Sequence, residues 1–490
     1  MLQALIEEAN KTHTENGAAS LRSTGSDCLD LFAVIGSLRH DEASHIETKF
    51  LRAFAEDPTT ALRILFFTRD IKEGLGERRI ARILYRFAAR HCPAALLKNI
   101  SYIPLLGRFD DLLALLDTPL ENEAVAIIKK QLEQDLIAAS CQKPVSLLGK
   151  WLPSANTSSP ETVRTAKHLQ KALGLSAADY RKILSLLRRQ IRIIENNLRE
   201  KDYSFNYEAV PGCALYKYRD AFWRNDEERY QDFLNRAAEG KAKMNTGTLY
   251  PYDFVHTIRY KADIDTDAKE RASLDTMWNN LPDFTQKENA LVVVDDSGSM
   301  YSGCHSATDP IDVAISLAIY YAERNTGLFH NYYLSFSERP ELLKIQGADL
   351  YEKVCCILSH NEVANTNLAA VFDLILDAAL SHHIPQEEFP KTLYLISDME
   401  FDAVVQNADQ TNFEYAKERF AAAGYTLPHI VFWNVNARNE QVPVKQNEEN
   451  VTLASGMSPH LFQFITGDSK TPYDFMMETL SSERYCDITA

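Results

Sequence analysis

The stretch ALVVVDDSGSM, residues 290–300, decides the fold of the second half of this 490-residue chain. Its first five residues form a short apolar run rich in β-branched side chains, which is typical of a strand buried in a parallel sheet. Asp295, Ser297 and Ser299 follow in a polar loop at the carboxyl end of that strand. Because ligands of open α/β sheets bind beyond these strand ends, the stretch predicts both a sheet and a site.

Helix and strand patterns alternate from this stretch onward. Further strands are predicted at 331–337, 392–398, 429–435 and 451–455. Helices are predicted at 309–324, 349–359, 367–381, 413–423 and 471–481. Such alternation is the signature of a doubly wound, Rossmann-like α/β sheet, and we assign this domain to residues 286–490.

Polar side chains collect where these predicted strands end. The strand TLYLISD also finishes in an aspartate, Asp398, and Thr366 precedes a helix, where a hydroxyl is also a natural N-cap. Two carboxylates and three hydroxyls form a hard oxygen set that suits octahedral Mg²⁺ or Mn²⁺. In the alternative interpretation the aspartates only cap strand ends and the serines form a turn. The predicted metal ligands are Asp295, Ser297, Ser299, Thr366 and Asp398.

This set resembles the metal-ion-dependent adhesion site (MIDAS) of the von Willebrand factor A (vWA) and integrin inserted-domain family. Asp295-x-Ser297-x-Ser299 matches the DxSxS signature of that family, Thr366 its metal-site threonine and Asp398 its second aspartate. The resemblance implies that the serines ligate the metal directly and that the aspartates act largely through water. It also implies that one coordination position stays open for an acidic group of a partner.

Two further aspartates, Asp296 and Asp402, lie close to this set in sequence. They could add charge or a second layer of hydrogen bonds, and solvated side chains are the alternative. No general base stands out beside the set. We therefore expect binding rather than catalysis, with a metal-dependent nuclease or phosphatase as a remaining alternative.

The first part of the chain has a different pattern. Apolar residues recur at helical spacing almost throughout residues 29–275, and short loops with Gly, Pro or Asp separate the segments. Many consecutive helices predict an α-helical repeat array of the HEAT type, although no clean fixed period is present. We assign this domain to residues 1–280, so the predicted fold class is α followed by α/β.

Three strings in the helical part carry a second resemblance. They are TENGAASLRSTGSDCLDLF at 14–32, FFTRDIKEGLGERRIARILYRFAAR at 66–90 and IPLLGRFDDLLALL at 103–116. On physical grounds the second string is either a phosphate cradle or a corner between helices that is held by salt bridges. Its RD-x-x-x-G-x-G-E-R element resembles the TROVE module of Ro RNA-binding proteins. Together with residues 206–234, the strings look still more like an uncharacterised family that joins a TROVE-like half to a vWA half.

The Ro resemblance implies a ring of helical repeats that binds structured RNA outside and single-stranded 3′ ends inside. Basic residues at helical spacing are the candidate RNA contacts, with aromatic side chains nearby for base stacking. In the alternative interpretation these residues form solvated helix faces and the aromatic residues form a packed core. The candidate RNA contacts are Arg69, Arg78, Arg79, Arg82, Arg86, Arg188, Arg189 and Arg192.

Charge is divided unevenly along the chain. Residues 1–250 contain 36 Lys and Arg against 32 Asp and Glu, whereas residues 251–490 contain 16 against 36. Either the two domains simply differ in isoelectric point, or only the first part could attract a polyanion, and charge alone does not choose between these interpretations. The eight cysteines form no CxxC pair, which favours reduced thiols and a cytoplasmic location. No apolar run approaches the roughly 20 residues that span a bilayer, and we expect no secretory signal.

These observations and resemblances together predict a function. We expect a non-enzymatic, Ro-like RNA-binding scaffold, active as a monomer in a ribonucleoprotein, with a Mg²⁺-binding vWA domain. Its partners would be structured or misfolded RNA and an acidic protein group at the metal. The competing prediction is a metal-dependent protein-interaction adaptor that has no RNA role.

Overall fold

A computed structural model describes residues 1–261, 264–285, 288–301, 308–336, 339–360, 366–403, 410–465 and 471–490. Contacts divide the chain into two compact units. The sheet unit contains residues 1–41 and 234–482, and the helical unit contains residues 42–233 and 483–490. Within the described ranges, no helix combines the length and the apolar character needed to cross a membrane.

Helices dominate the chain up to residue 279, and helices and strands alternate after it. The chain begins with α1 (Leu2–Asn10), β1 (Lys11–His13), β2 (Ala19–Leu21) and α2 (Asp27–Val34). The helices that follow are α3 (Ala43–Glu56), α4 (Pro58–Arg69), α5 (Arg78–His91), α6 (Pro93–Asn99), α7 (Tyr102–Leu106), α8 (Glu121–Ser140), α9 (Leu148–Trp151), α10 (Pro160–Ala172), α11 (Ala177–Ile191), α12 (Ile194–Glu200), α13 (Gly212–Asn225) and α14 (Glu227–Ala238). The remaining elements are α15 (Pro251–Tyr260), α16 (Ala268–Asn279), β3 (Ala290–Asp295), α17 (Pro310–Arg324), β4 (Tyr332–Phe336), β5 (Leu342–Lys344), α18 (Leu350–His360), α19 (Leu368–His382), β6 (Thr392–Ser397), α20 (Asn412–Ala422), β7 (His429–Asn434), β8 (Val451–Ser455), α21 (Leu461–Phe464) and α22 (Pro472–Leu480).

The sheet unit is built on a six-stranded sheet with the order β5-β4-β3-β6-β7-β8. All neighbouring strands are parallel except the edge pair β4 and β5. Every residue of β3, β6, β7 and β8 is buried, as expected for strands covered by helices on both faces. The predicted parallel α/β sheet is confirmed, although residue 337 of one predicted strand lies outside the described residues.

The strand order creates a crevice at one end of the sheet. From β3 the chain passes to β4 on one side and later returns to β6 on the other side of β3. This reversal between β3 and β6 is a topological switch point, where the loops after the two strands diverge. The carboxyl ends of β3 and β6 therefore frame the candidate site.

The two compact units do not coincide with the change of pattern near residue 286. Residues 1–41 and 234–285 belong to the sheet unit because their apolar faces pack there. Phe32 packs edge-on against Phe475, and the backbone N–H of Gly36 donates to Ser455 Oγ at 3.0 Å. A side chain at Gly36 would lie 2.4 Å from the Ser455 carbonyl oxygen, so glycine is required by this close approach. Helical periodicity alone could not show which unit covers these helices.

The helical unit is an array of short helices, as predicted for this part of the chain. Neighbouring helices such as α3, α4 and α5 pack through buried side chains that include Phe50, Phe66 and Tyr85. Asp57 begins α4 by accepting hydrogen bonds from the N–H groups of Thr59 and Thr60. The loop after α7 contains a 3-10 turn, Phe109–Leu115, which places two aspartates beside α5.

Candidate functional site

The two predicted metal-site aspartates lie at the same edge of the sheet. β3 and β6 are parallel neighbours, and Val294 pairs with Ile396 just before the strands end. Asp295 is 0% exposed and Asp398 is 1% exposed. The strand pattern thus predicted the positions of both carboxylates correctly, because parallel strands bring their carboxyl ends to one edge.

The serine hydroxyls lie in the tight loop after β3. The N–H of Ser297 donates to Asp295 Oδ1 at 3.0 Å, and the hydroxyl oxygens of Ser297 and Ser299 are 2.9 Å apart. Ser299 also forms a hydrogen bond with Asp398. Four of the five predicted ligands therefore form one continuous cluster.

Thr366, the fifth predicted ligand, contacts the loop that follows β6. Its hydroxyl donates to the carbonyl oxygen of Glu400 at 2.7 Å and lies 3.4 Å from Asp402 Oδ1. It is 1% exposed and lies two residues before α19 begins. Asn367, rather than Thr366, caps this helix by accepting from the N–H of Ala370. The Thr366 hydroxyl is therefore not used as the N-cap that the sequence left open.

The buried carboxylates oppose one another electrostatically. Burial and the neighbouring Asp398 raise the pKa of Asp295 to about 7. Burial also raises the pKa of Asp398, against the opposing effects of the Ser299 hydroxyl and the Glu400 N–H. Asp398 Oδ2 is buried and accepts no hydrogen bond from the described residues. A cation is the natural partner for such an arrangement, because it removes the repulsion between the two charges.

Glu400 and the N-terminal hairpin complete the surroundings of the site. Glu400 is 1% exposed, and its carboxylate accepts from the Glu15 N–H at 2.7 Å, from Asn439 at 2.8 Å and from Gln441 at 2.7 Å. Asn16, in the turn between β1 and β2, donates to Thr366 Oγ1 at 3.0 Å. No periodicity or motif in the sequence indicated these long-range contacts.

Arg438 places a positive charge beside the site. Its guanidinium lies 3.6 Å from Asp398 Oδ2 and 2.7 Å from Glu15 Oε2, with its side chain 36% exposed. It therefore partly compensates Asp398 while remaining accessible to solvent. Of the two further aspartates noted in the sequence, Asp296 is 1% exposed and Asp402 pairs with the hairpin at Gly17.

The arginine motif of the helical unit forms a corner between helices. Arg69 is 2% exposed and donates to Asp111 Oδ2 at 2.7 Å. Arg82 donates to Asp111 Oδ1 at 2.7 Å and to Asp110 Oδ2 at 2.7 Å. The structure therefore places the guanidinium of Arg69, one of the candidate RNA contacts, in a buried ion pair. The sequence could not separate the two interpretations, because an Arg-Asp string is compatible with both.

Exposed arginines lie beside this buried corner. Arg78 is exposed and forms no hydrogen bond or ion pair with any residue that the structure describes. Partial burial and the positive charges of Arg82 and Arg108 lower its pKa. Arg79 and Arg86 are also exposed, and Arg86 donates a long bond to the Ala114 carbonyl oxygen at 3.3 Å. This face of α5 therefore carries excess positive charge.

Comparison with known proteins identifies the family. A family model described as "Domain of unknown function (DUF2828)" matches residues 14–125 and 156–291, which together make up half of the chain. The chain belongs to the DUF2828 family. A second model, "Domain of unknown function (DUF7788)", matches residues 289–483 of this DUF2828 chain.

Two whole-length similarities extend beyond these models. "Uncharacterized protein L728" of Acanthamoeba polyphaga mimivirus is 28% identical over 510 residues, covering 96% of the DUF2828 chain and 87% of the viral protein. The crystal structure of the Deinococcus radiodurans Ro (RSR) protein matches with a TM-score of 0.50 and 14% identity. That match covers 94% of the DUF2828 chain and 100% of the Ro chain. At this identity it shows the fold alone.

The remaining candidate RNA contacts of the DUF2828 chain lie on and after α11. Arg188 donates to the carbonyl oxygens of Gly149 at 2.9 Å and Leu152 at 2.8 Å and to Ser154 Oγ at 2.7 Å, so it holds the loop around α9. Arg189 and Arg192 are exposed. The aromatic side chains that follow form a packed cluster, in which Tyr207, Phe222, Trp223, Tyr230 and Phe233 are buried.

A third polar cluster of the DUF2828 chain combines Asp117, Glu121 and His168. One ligand atom from each lies within 4.8 Å of the others. His168 Nε2 is 2.8 Å from Glu121 Oε1, and His168 Nδ1 is 3.6 Å from Asp117 Oδ1. Because the two ring nitrogens face different carboxylates, the cluster is satisfied by its own contacts, and we assign no metal to it.

Proposed function

We propose that this chain is a non-enzymatic, Ro-like RNA-binding scaffold whose sheet unit is a vWA domain that holds one Mg²⁺ or Mn²⁺. The observation that carries RNA binding is the exposed arginine face of α5. Four guanidinium groups, those of Arg69, Arg78, Arg82 and Arg108, share this corner with the carboxylates of Asp110 and Asp111. The guanidinium groups outnumber the carboxylates, and the remaining positive charge suits the phosphates of a nucleic acid.

Two further observations support the RNA proposal. The helical unit contains 31 Lys and Arg against 27 Asp and Glu, whereas the sheet unit contains 21 against 41. A polyanion would therefore bind the helical unit and be repelled by the sheet unit. The fold resembles that of the Deinococcus Ro protein, and we propose that it serves RNA binding in this chain as well. Arg79, Arg86, Arg189 and Arg192 are the other exposed candidates.

The metal proposal rests on the donor set beyond β3 and β6. Asp295, Ser297, Ser299, Thr366 and Asp398 would hold the cation, with water completing its coordination. When bound, the cation would neutralise the buried carboxylates and offer an acidic partner group a coordination position. Glu400 accepts three hydrogen bonds and is therefore held as an acceptor rather than as a general base, which favours binding over hydrolysis.

A metal-dependent protein-interaction adaptor is the second candidate, and Arg438 is the observation that favours it. This half-exposed guanidinium lies 3.6 Å from Asp398, so an acidic partner side chain at the metal would also approach Arg438. Binding of this kind would be lost with a chelator and would be insensitive to ribonuclease. We place the protein in the cytoplasm as a monomer, consistent with thiols at Cys92 and Cys141 that form no disulfide with the described residues.

The α5 arginines can be tested by filter binding. The RNA is structured with a single-stranded 3′ tail, and the variant carries Arg78→Glu, Arg79→Glu and Arg86→Glu. We expect the variant to lose at least about 100-fold in affinity, because three phosphate contacts become repulsive. The slope of log affinity against log salt should also fall by about 2, at roughly 0.7 per lost contact.

A second triple variant, with cations of α10 replaced by Glu, changes the net charge by the same amount as the α5 variant and serves as the control. Arg164, Lys167 and Lys171 are three exposed cations on α10, and their replacement by Glu should weaken binding less than about tenfold through the general field alone. Absence of binding by the unmodified protein at low salt contradicts the proposal. Equal losses in the two triple variants would refute the assignment to α5.

A further inference from the structure

The last eight residues, Glu483–Ala490, form a closing segment of the helical unit. They pack in that unit, although residues 234–482 before them belong to the sheet unit. The segment forms turns rather than a helix or a strand. Its conformation is held mainly by side chains in or next to α4 and α6. We call these residues the groove: Arg63, Phe67, Asp70 and Asn99.

Side chains of the helices bind the backbone of the closing segment. Asn99 donates from Nδ2 to the Thr489 carbonyl oxygen at 2.6 Å and accepts from the Thr489 N–H at 3.3 Å. Arg63 donates to the carbonyl oxygens of Cys486 at 2.8 Å and Ile488 at 3.2 Å. These four bonds hold the backbone and place no demand on the side chains that the segment carries.

Two apolar anchors supply side-chain specificity. Tyr485 is 1% exposed and Ile488 is 0% exposed, whereas Cys486, Asp487 and Thr489 are exposed. The ring of Tyr485 packs edge-on against Phe67 with centroids 5.9 Å apart. Buried anchors separated by exposed residues are typical of peptide recognition rather than of a folded core element.

A buried carboxylate of the groove depends on the closing segment for its counter-charge. Asp70 is 0% exposed, and its oxygens accept from the Arg484 guanidinium, at 2.6 Å from one nitrogen, and from the Tyr485 hydroxyl at 2.8 Å. Arg69, the adjacent residue, bonds with Asp111 instead. Arg484 therefore provides the charge-assisted bonds that Asp70 needs when it is buried.

We propose that the helical unit contains a peptide-binding site for the sequence Arg-Tyr-x-x-Ile, which its own closing segment occupies. Asp70 binds the arginine and the tyrosine hydroxyl, the apolar groove takes the tyrosine ring and the isoleucine, and Asn99 and Arg63 hold the backbone. A segment bound through these groups stays bound without its covalent connection. The site accordingly accepts the same sequence as a separate peptide, and this property is independent of RNA binding.

The test uses the full chain with a protease recognition sequence inserted after Ser482, in the turn that precedes the segment. After cleavage, native mass spectrometry measures whether the octapeptide remains bound. A fluorescent peptide of residues 483–490, amidated at its end, is then added and its anisotropy is followed. We expect the octapeptide to be retained at first and then exchanged for the labelled peptide.

Peptide variants make the test independent of protein folding. Arg484→Ala or Tyr485→Phe in the competing peptide should weaken competition by about 30-fold or more, because Asp70 loses a buried bond. Glu483→Gln, at an exposed position, should compete as well as the parent peptide. Immediate loss of the octapeptide without binding of the labelled one would overturn the proposal. Unfolding on cleavage would overturn it too, since the segment would then be an integral part of the core.

Discussion

Replacement of Asp295 by asparagine is expected to abolish the stabilisation that Mg²⁺ gives the protein. A ligand present at 100 times its Kd adds about 2.7 kcal/mol to the free energy of unfolding of a protein that binds it only when folded. The substitution keeps the size of the side chain and removes one of the two buried carboxylates. Urea unfolding of the full chain, with saturating Mg²⁺ and with a chelator, measures the effect.

The same substitution should have the opposite effect without a cation. Above its pKa of about 7, Asp295 carries a charge in the folded protein, and the neighbouring Asp398 opposes that charge. Asparagine removes that repulsion, so in chelator the variant should be at least as stable as the parent protein. Asp377→Asn, at an exposed position of α19, is the control and should leave the response to Mg²⁺ unchanged. A variant that still gains stability with Mg²⁺ contradicts the proposed ligand set.

Replacement of Asp111 by alanine should destabilise the helical unit by about 3–5 kcal/mol. Asp111 is 0% exposed and accepts from Arg69, from Arg82 and from the Arg108 N–H at 2.9 Å. Its loss leaves the buried Arg69 guanidinium without a counter-charge in a position that water does not reach. Urea unfolding monitored in the helical unit measures the change.

Two controls test whether the cost of the Asp111 substitution arises from the buried position of its ion pair. Glu200 pairs with Arg199 at the surface, with 65% of the glutamate side chain exposed, so Glu200→Gln should change the free energy of unfolding by less than about 0.5 kcal/mol. Arg69→Met combined with Asp111→Leu should recover part of the loss, because no unpaired charge remains. A cost below about 1 kcal/mol for Asp111→Ala would mean that the corner does not hold the helices together.

The sequence was most informative about the strands of the parallel sheet, where a short apolar run between polar loops predicted a buried strand. The run before Asp295 and the run before Asp398 are apolar and bounded by polar loops, so each predicted a buried strand with a carboxylate at its end. The same reasoning missed β5, because a three-residue strand with one half-buried side chain has no distinctive pattern. The contacts of Asn16 with Thr366 and of Glu15 with Arg438 join residues hundreds of positions apart, and no local signal indicates them.

In the helical unit, the sequence located the motif without showing its role. Arg69 and Arg78 both belong to the string 66–90, yet one is buried against Asp111 and the other is exposed without a hydrogen bond to the described residues. Helical spacing relates residues on one helix and does not say which face a neighbouring loop covers. The loop that carries Asp110 and Asp111 covers one face of α5, and this tertiary contact decides which arginines of the helix remain exposed.

We propose that the helical unit binds RNA while the sheet unit holds a metal without catalysing a reaction. Photocrosslinking of the full chain to a 4-thiouridine-substituted RNA in Mg²⁺, followed by peptide mapping and analysis of the recovered RNA, tests it most directly. We expect crosslinks in Arg78–His91 and near Arg189, and RNA recovered at its original length. Crosslinks confined to the sheet unit, or RNA cut in a Mg²⁺-dependent manner, would contradict it.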